Sequence, residues 1–132
     1  MGSEDILFLC TQPDNTYFHW QVKLCMYNFA KFGILGRCYP VFMVTHEPSD
    51  ELVRMKEEFP NIEWYRDTRD RRNYIPSCRP HMYAKFLEAH PEFQGREIFI
   101  HDSDIIFRKL PDFDKLSGKG INYLSDTRSY IG

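Results

Sequence analysis

The sequence predicts an α/β fold in which a largely parallel central sheet is flanked by helices. Short runs rich in β-branched and aromatic residues alternate with longer segments whose apolar residues recur at helical spacing. Chains with this alternation place their strands in one sheet and cover its faces with the intervening helices. At 132 residues, the chain is expected to form a single domain over 1–132.

The predicted strands are short apolar runs bounded by residues that favour turns. The first is followed at once by a loop over Thr11–Asn15, where Pro, Asp and Asn are turn formers. The last precedes a second polar turn, Ser125–Thr127. In chain order the strands are Asp5–Cys10, Tyr39–Thr45, Asn61–Tyr65, Glu97–His101 and Ile121–Leu124.

The first helix has clear start and stop signals. Asn15 or Thr16 can cap its N-terminus, and Gly33 can end it. Between these signals, apolar residues recur every three or four positions, which predicts one buried face. The members of that face are Phe18, Val22, Cys25, Met26, Phe29 and Ala30.

Two further helices follow the second and third strands. One opens at Pro48–Asp50 and ends at Pro60, with Leu52, Met55 and Phe59 facing inward. The other begins near Arg79, with Pro80 in its first turn, and stops at His90–Pro91. Its inner face is predicted to comprise Met82, Phe86 and Ala89, and a short helix or turn is expected at Leu110–Leu116.

Composition excludes several classes of protein. The net charge is −2 and the pI is near 6.2, whereas general nucleic-acid binders are basic. No apolar run is long enough to span a membrane, and the acidic first residues do not form a signal peptide. The four cysteines form no CxxC pair, so reduced thiols in a cytoplasmic protein are expected: Cys10, Cys25, Cys38 and Cys78.

The segment Glu97–Phe107, EIFIHDSDIIF, carries the strongest chemical signal. A buried strand is followed by Asp102 and Asp104, and apolar residues then resume at Ile105–Phe107. In extended chain these two carboxylates point the same way, where they would repel unless a cation lies between them. Oxygen ligands of this kind suit Mg²⁺ or Mn²⁺ with substrate phosphates. The alternative is that both Asp residues cap a turn.

The predicted topology, a Rossmann-like arrangement, brings polar segments together. Ligands of open parallel sheets bind beyond the C-terminal ends of the strands. Three segments should meet there: Thr11–Asn15, Asp102–Asp104 and Ser125–Thr127. The helix that begins near Arg79 would add an electropositive N-terminus suited to phosphate. Neither a GxGxxG fingerprint nor a P-loop is present.

Other polar and aromatic residues allow two interpretations each. The segment Arg66–Asn73 is mainly expected to be a solvated surface, with a phosphate or sugar contact as the alternative. His81 and His101 could bind metal, although packing or hydrogen bonding is commoner for an isolated histidine. Tyr17 and Trp20 could stack on a base or simply pack.

The placement of His101-Asp102-Ser103-Asp104 between apolar strands resembles the nucleotide-sugar-dependent glycosyltransferases of the GT-A fold. Within that group, the chain resembles the small DxD glycosyltransferases of giant algal viruses and similar bacterial enzymes. The resemblance covers Asp5 to Asp126, the nucleotide-binding half. It leads us to expect the N-terminal part of a larger catalytic domain, because the chain stops soon after a strand-like segment.

The resemblance implies a reaction and a set of site residues. The DxD carboxylates of Asp102 and Asp104 would hold Mn²⁺ or Mg²⁺, with Asp104 the more direct ligand. The donor would be a nucleotide sugar, most commonly a UDP-sugar, and the acceptor a glycan or another hydroxyl. Asp126 is a candidate catalytic base or a strand-end turn former. The implied donor-binding residues are Thr11, Gln12, Arg79, His81, Lys85, Asp102 and Ser103.

Two other functions use similar sequence features. Phosphatases of the haloacid dehalogenase type also have D-x-D after a strand, but that motif normally lies near the start of the domain. A non-catalytic half-domain that binds nucleotide sugar without transfer is the second alternative. A nucleotidyltransferase would need a Gly-rich basic loop after the first strand, and Thr11–Asn15 contains no Gly, Lys or Arg.

Overall fold

Four parallel strands form the sheet of the computed structural model, which describes residues 6–70 and 77–116. Their order across the sheet is β3-β2-β1-β4, and every neighbouring pair is parallel. This arrangement confirms the predicted α/β class and is consistent with a Rossmann-like fold. The strands are β1 (Leu7–Pro13), β2 (Cys38–Val44), β3 (Glu63–Arg66) and β4 (Ile98–Ile100).

Strand β1 lies at the centre of the sheet because it pairs with β2 on one side and β4 on the other. Its residues are buried on both faces, which explains why its sequence is a continuous apolar run rather than an alternating one. It extends three residues beyond the predicted end at Cys10, since Thr11, Gln12 and Pro13 continue the pairing with β2. The loop predicted at Thr11–Asn15 is therefore shorter than expected.

The helices begin and end close to the predicted signals. The Asn15 side chain accepts a hydrogen bond from the Phe18 N–H at 3.2 Å, and Ser49 caps the second helix in the same way. Gly33, with φ of 72°, follows the end of the first helix. The helices are α1 (Thr16–Lys31), α2 (Asp50–Glu58), α3 (Cys78–Ala89) and the short α4 (Phe113–Leu116); Leu35–Arg37 and Pro91–Phe93 form 3₁₀ turns.

Each face of the sheet has its own core. Helices α1 and α2 pack on one face, where Phe8 of β1 makes edge-on or tilted contacts with four phenylalanine rings. Helix α3 packs on the other face through Met82 and Phe86. Ala30 and Ala89, which the periodicity placed on inner faces, are exposed. The sheet therefore lies between two helical layers, and its C-terminal edge stays open to the surface.

The charged segment Arg66–Asn73 is less solvated than predicted. Arg66 and Asp70 are exposed, as expected of a solvated surface, but Asp67 and Arg69 are not. The Arg69 guanidinium donates to both carboxylate oxygens of Asp67 at 2.9 Å and to the Ser77 hydroxyl at 2.6 Å. This largely buried ion pair ties the segment to the beginning of α3. The remainder of the predicted charged loop, residues 71–73, lies outside the described residues.

The segment around β4 is less buried than its sequence predicts. Ile100 of β4 is 55% exposed, and Ile106, which lies beyond the strand, is 54% exposed. Within the described part of the chain, β4 pairs only with β1. No strand forms at Ile105–Phe107. Instead, the Asn28 amide of α1 donates to the Phe107 carbonyl and accepts from its N–H, which holds the segment against the core. The predicted strand at Ile121–Leu124 lies outside the described residues.

The four cysteines are buried free thiols. None of the helices described in residues 6–70 and 77–116 combines the length and apolarity that crossing a membrane requires.

His90 at the end of α3 should make stability depend on pH. Its ring nitrogens lie 2.7 Å from a Glu63 oxygen and 2.9 Å from a Glu92 oxygen. Burial opposes the imidazolium, but these carboxylates outweigh it and raise the pKa of His90 above 6.5. The stabilisation is therefore complete below the unfolded-state pKa and is lost as pH rises through the folded-state pKa.

We expect His90→Gln to destabilise the protein more at about pH 5.5 than at about pH 8.5 when urea unfolding is compared with that of the parent protein. Comparison of the two proteins at each pH cancels the titration of groups that do not interact with His90. An equal loss at both values would show that His90 stabilises by packing alone.

Candidate functional site

A cleft opens between the C-terminal ends of β1 and β4. The chain moves outward from β1 to β2 and β3, then returns to the other side of β1 to form β4, so the strand order reverses at this point. Parallel sheets bind ligands at such a reversal. The cleft has a volume of about 270 Å³ and is lined by Thr11, Gln12, Pro13, Tyr17, Phe18, Gln21, Cys78, Arg79, Asp102, Ser103 and Asp104.

Two of the three predicted polar segments therefore meet. The end of β1 supplies Thr11–Pro13 to the cleft, and the segment after β4 supplies Asp102–Asp104. The start of α3 joins them through Cys78 and Arg79, as the helix prediction required. The third segment, Ser125–Thr127, lies outside the described residues, and with it the candidate base Asp126.

Side chains in the segment Asp102–Asp104 alternate between exposed and buried positions. Regular pairing ends at Ile100, and His101 adds one more hydrogen bond to the Leu9 carbonyl at 3.1 Å. After it, Asp102 and Asp104 are exposed while Ser103 between them is buried. The Ser103 hydroxyl donates to the Gln21 side-chain oxygen of α1 at 2.8 Å. This anchor holds the segment so that both carboxylates face the cleft.

Gln21 is a residue that the sequence patterns did not single out. It lies on the inner face of α1, three residues after Phe18 and four before Cys25. A glutamine at a buried helical position needs a hydrogen-bond partner, and here the partner comes from 82 residues away. The only sequence signal for its role was the position of a polar residue within the apolar face of the helix.

His101 is packed and does not line the cleft. Its ring lies 5.2 Å from the Phe29 ring and 6.0 Å from the Phe99 ring. Its Nδ1 is 2.8 Å from the Asp102 carbonyl oxygen, which can only accept, so Nδ1 carries the proton. Burial lowers the pKa of His101, and the ring is neutral at physiological pH. Of the two interpretations of His101, packing rather than metal binding therefore fits the structure.

Arg79 provides a positive charge in the cleft. Its Nη1 lies 2.7 Å from Asp102 Oδ1, in an ion pair whose side chains are 37% and 61% exposed. The Thr11 hydroxyl donates to the Arg79 carbonyl at 3.4 Å, which links α3 to β1. Burial opposes the guanidinium charge, but the Tyr83 hydroxyl and the Asp102 carboxylate raise the pKa of Arg79. Asp104, by contrast, has no ion-pair partner within residues 6–70 and 77–116.

The floor of the cleft near β1 is held rigidly. Gln12 is 1% exposed, and its side-chain N–H donates to the Val41 carbonyl of β2 at 3.2 Å. Its Oε1 has no hydrogen-bond partner in the described part of the chain.

Two buried thiols lie beneath the cleft. Burial raises the pKa of the Cys10 thiol and raises the pKa of the Cys25 thiol to about 12, and the Asp104 carboxylate adds to the shift of Cys25. These shifts favour the protonated form of both thiols.

The turn after β1 is fixed by a buried carboxylate. Asp14, which the sequence indicated only as a turn former, accepts hydrogen bonds from the Ser49 N–H and hydroxyl, both at 2.7 Å. His19 of α1 lies 2.6 Å from the same carboxylate. Asp14 thus joins the end of β1 to the first turns of α1 and α2, and it fixes the helix that carries Tyr17 and Gln21.

Two of the predicted donor-binding residues do not line the cleft. The His81 ring is 3.2 Å from the Thr68 hydroxyl and faces the segment after β3. Lys85 lies one turn farther along α3 and is absent from the lining. The structure therefore brings together Thr11, Gln12, Arg79, Asp102, Ser103 and Asp104, but not His81 or Lys85.

The two carboxylates suit a divalent cation that also binds a ligand. No group of three or more His, Cys, Asp or Glu side chains in the described part of the chain could form a metal site by itself. Mg²⁺ typically takes only one or two carboxylates from the protein and completes its coordination with water and substrate phosphates. Asp102 and Asp104, exposed on one cleft, fit that pattern.

No family model, curated protein or solved structure significantly matches this chain, so the functional argument depends on the site itself.

Proposed function

We propose that the chain binds a nucleotide-sugar donor with a divalent cation and acts as a DxD glycosyltransferase. The observation that carries the proposal is that Asp102 and Asp104 share one cleft with Arg79 at the reversal point of a parallel sheet. A diphosphate that binds with its metal is complemented by carboxylates, which hold the cation, and by a guanidinium, which pairs with the anion.

The chemical requirement of the reaction matches these charges. When a sugar leaves a nucleoside diphosphate, negative charge develops on the diphosphate. Mn²⁺ or Mg²⁺ held by Asp102 and Asp104 would supply Lewis-acid stabilisation of that charge. Arg79, beside Asp102, adds guanidinium donors suited to paired phosphate oxygens.

The start of α3 adds positive potential to the cleft. This 12-residue helix has Cys78 and Arg79 in its first turn and no acidic residue there. The Ser77 hydroxyl does not cap the helix, and it accepts from Arg69 instead. Backbone N–H groups in the first turn of a helix, together with its dipole, favour phosphate.

An exposed aromatic side chain of the cleft suits a base. Tyr17 lines the cleft and is 61% exposed, with its ring edge-on to Phe18 at 5.0 Å. An open aromatic face of this kind can stack on a planar base. Thr11 and Gln12 line the same cleft. We propose UDP-sugar as the donor and a glycan or other hydroxyl as the acceptor, by the GT-A resemblance.

We expect Tyr17→Ala to weaken nucleotide binding by about 1 kcal/mol, roughly fivefold, because one base would lose its stacking partner. Tyr27→Ala is the matched control, since Tyr27 is 51% exposed on the same helix but does not line the cleft. Calorimetric titration of both variants measures the difference. Equal affinity in the two variants would exclude Tyr17 as the base platform.

Two further assignments belong to this proposal. Asp126 is proposed as a catalytic base, by its place at the end of the next predicted strand. The cytoplasm is the proposed compartment, because four buried, unpaired thiols are typical of a reducing environment.

Calorimetry with UDP, GDP and their common sugar conjugates tests the proposal, with Mn²⁺, Mg²⁺ or chelator present. We expect one nucleotide to bind, and to require the metal. Release of UDP from the matching UDP-sugar, with transfer to a sugar acceptor, distinguishes a transferase from a half-domain that binds without transfer. If no nucleotide binds under any metal condition, the donor-site proposal is wrong, and hydrolysis of an aryl phosphate would then test the phosphatase alternative.

A further inference from the structure

Arg79 forms an ion pair with Asp102, one of the two carboxylates assigned to the metal. Its Nη1 lies 2.7 Å from Asp102 Oδ1, and this ion pair joins the first turn of α3 to the segment after β4. A guanidinium and a divalent cation require the same carboxylate lone pairs. While the pair is closed, Asp102 is already neutralised by a cation that belongs to the protein itself.

We propose that Arg79 competes with the metal for Asp102, and that the diphosphate of the nucleotide relieves the competition by accepting Arg79. This inference rests on the proposed function and concerns the regulation of the same site. The free protein then binds metal poorly, and metal and nucleotide bind together. Asp104, which no cation pairs within the described residues, remains open as the first contact for a cation.

The surroundings of Arg79 allow its side chain to change partners while its backbone stays fixed. The Thr11 hydroxyl holds the Arg79 carbonyl at 3.4 Å. The side chain is 37% exposed and lies close to the Tyr83 hydroxyl as well as to Asp102. Arg79 can therefore move from the carboxylate to a phosphate in the same cleft by rotating its side chain alone.

The consequence is a measurable thermodynamic coupling. Metal binding alone must break the Arg79–Asp102 pair, whereas metal binding with nucleotide does not leave Arg79 unpaired. Arg79 should weaken the binding of metal to the free protein by a certain factor. By linkage, Arg79 should increase the metal-dependent enhancement of nucleotide binding by the same factor. Direct contact between metal and phosphate would add coupling of its own, which removal of Arg79 leaves in place.

Arg79→Gln tests this inference, with Arg54→Gln as the control for loss of one positive charge. Arg54 forms an ion pair with Glu51 at 2.8 Å on α2 and does not line the cleft. Binding of Mn²⁺ alone is followed by the spin-resonance signal of the free ion. We expect Arg79→Gln to bind Mn²⁺ alone about threefold to fivefold more tightly than the parent protein, and Arg54→Gln to change it by less than about twofold.

The second arm measures UDP affinity by calorimetry in saturating Mn²⁺ and in chelator. The enhancement by Mn²⁺ should fall in Arg79→Gln by the same threefold to fivefold factor, roughly the value of one partly exposed ion pair. Arg79→Lys, which keeps a cation without the planar fork, should lie between the two proteins and serves if Arg79→Gln does not fold.

Two results would overturn the inference, and they are distinguishable. If Mn²⁺ enhances UDP binding in the parent protein but Arg79→Gln binds Mn²⁺ alone no more tightly than Arg54→Gln does, the competition is wrong and the donor site stands. If Mn²⁺ does not enhance UDP binding in the parent protein, the proposed function fails and the inference fails with it.

Discussion

Asp104→Asn should weaken metal-dependent nucleotide binding by about 100-fold or more. Even residues that only support a metal ligand typically change metal affinity by about 10- to 100-fold when they are replaced, so a direct ligand should lie at or beyond the upper end. Asp104 is exposed on the cleft and has no cation partner in the described part of the chain. The substitution keeps the shape of the side chain and removes the charge that a cation needs.

The control is Asp112→Asn, which removes one carboxylate from the surface outside the cleft. Asp112 is 56% exposed, and its partner Lys115 is 80% exposed at 3.7 Å. Titration of UDP in saturating Mn²⁺ compares the two variants and the parent protein. Retention of near-parental affinity by Asp104→Asn would remove this carboxylate from the donor site, whereas a similar loss in both variants would show only a general charge effect.

Asp67→Asn should destabilise the fold by about 3 kcal/mol, because it leaves the Arg69 guanidinium largely buried beside a neutral amide. The side chains of Asp67 and Arg69 are 6% and 9% exposed, and both oxygens of the carboxylate accept from the guanidinium. Arg69 also donates to Ser77, next to the start of α3. Loss of the pair should therefore loosen the helix that carries Arg79 as well as lower global stability.

Urea unfolding at neutral pH measures this loss. Asp112→Asn, whose ion pair is exposed, should change the free energy of unfolding by less than about 1 kcal/mol. Asp67→Asn combined with Arg69→Met should recover part of the loss, since the buried guanidinium is then removed together with its carboxylate partner. A loss below about 1 kcal/mol in Asp67→Asn would mean that water reaches Arg69 and that the pair does not anchor α3.

The fold was predictable because its signals are local. Asn15 and Ser49 cap helices where short polar residues precede apolar periodicity. Strands β1, β2 and β4 contain apolar runs, and the alternation of strands with helices predicts a parallel sheet. The position of Asp102 and Asp104 after β4 placed them at the strand ends, and the structure brings them to one cleft with the end of β1.

What the sequence did not predict depends on contacts between distant residues. The Ser103–Gln21 hydrogen bond joins positions 82 residues apart, and no local pattern indicates it. The burial of Asp67 could not be read from a segment whose charges look solvated, because its partner Arg69 is enclosed by tertiary packing. The Arg79–Asp102 pair likewise depends on how α3 meets β4. Residues 1–5, 71–76 and 117–132, which include Asp126, lie outside the described residues.

The most direct test of the donor site is an anomalous diffraction map from crystals of the protein grown with Mn²⁺ and UDP. Manganese scatters anomalously, so its position can be located independently of any assumption about the ligand. We predict a peak within coordination distance of an Asp104 carboxylate oxygen, with the diphosphate beside Arg79 and the base against Tyr17. A peak at other residues, or a nucleotide bound away from the cleft between β1 and β4, would contradict the proposed donor site.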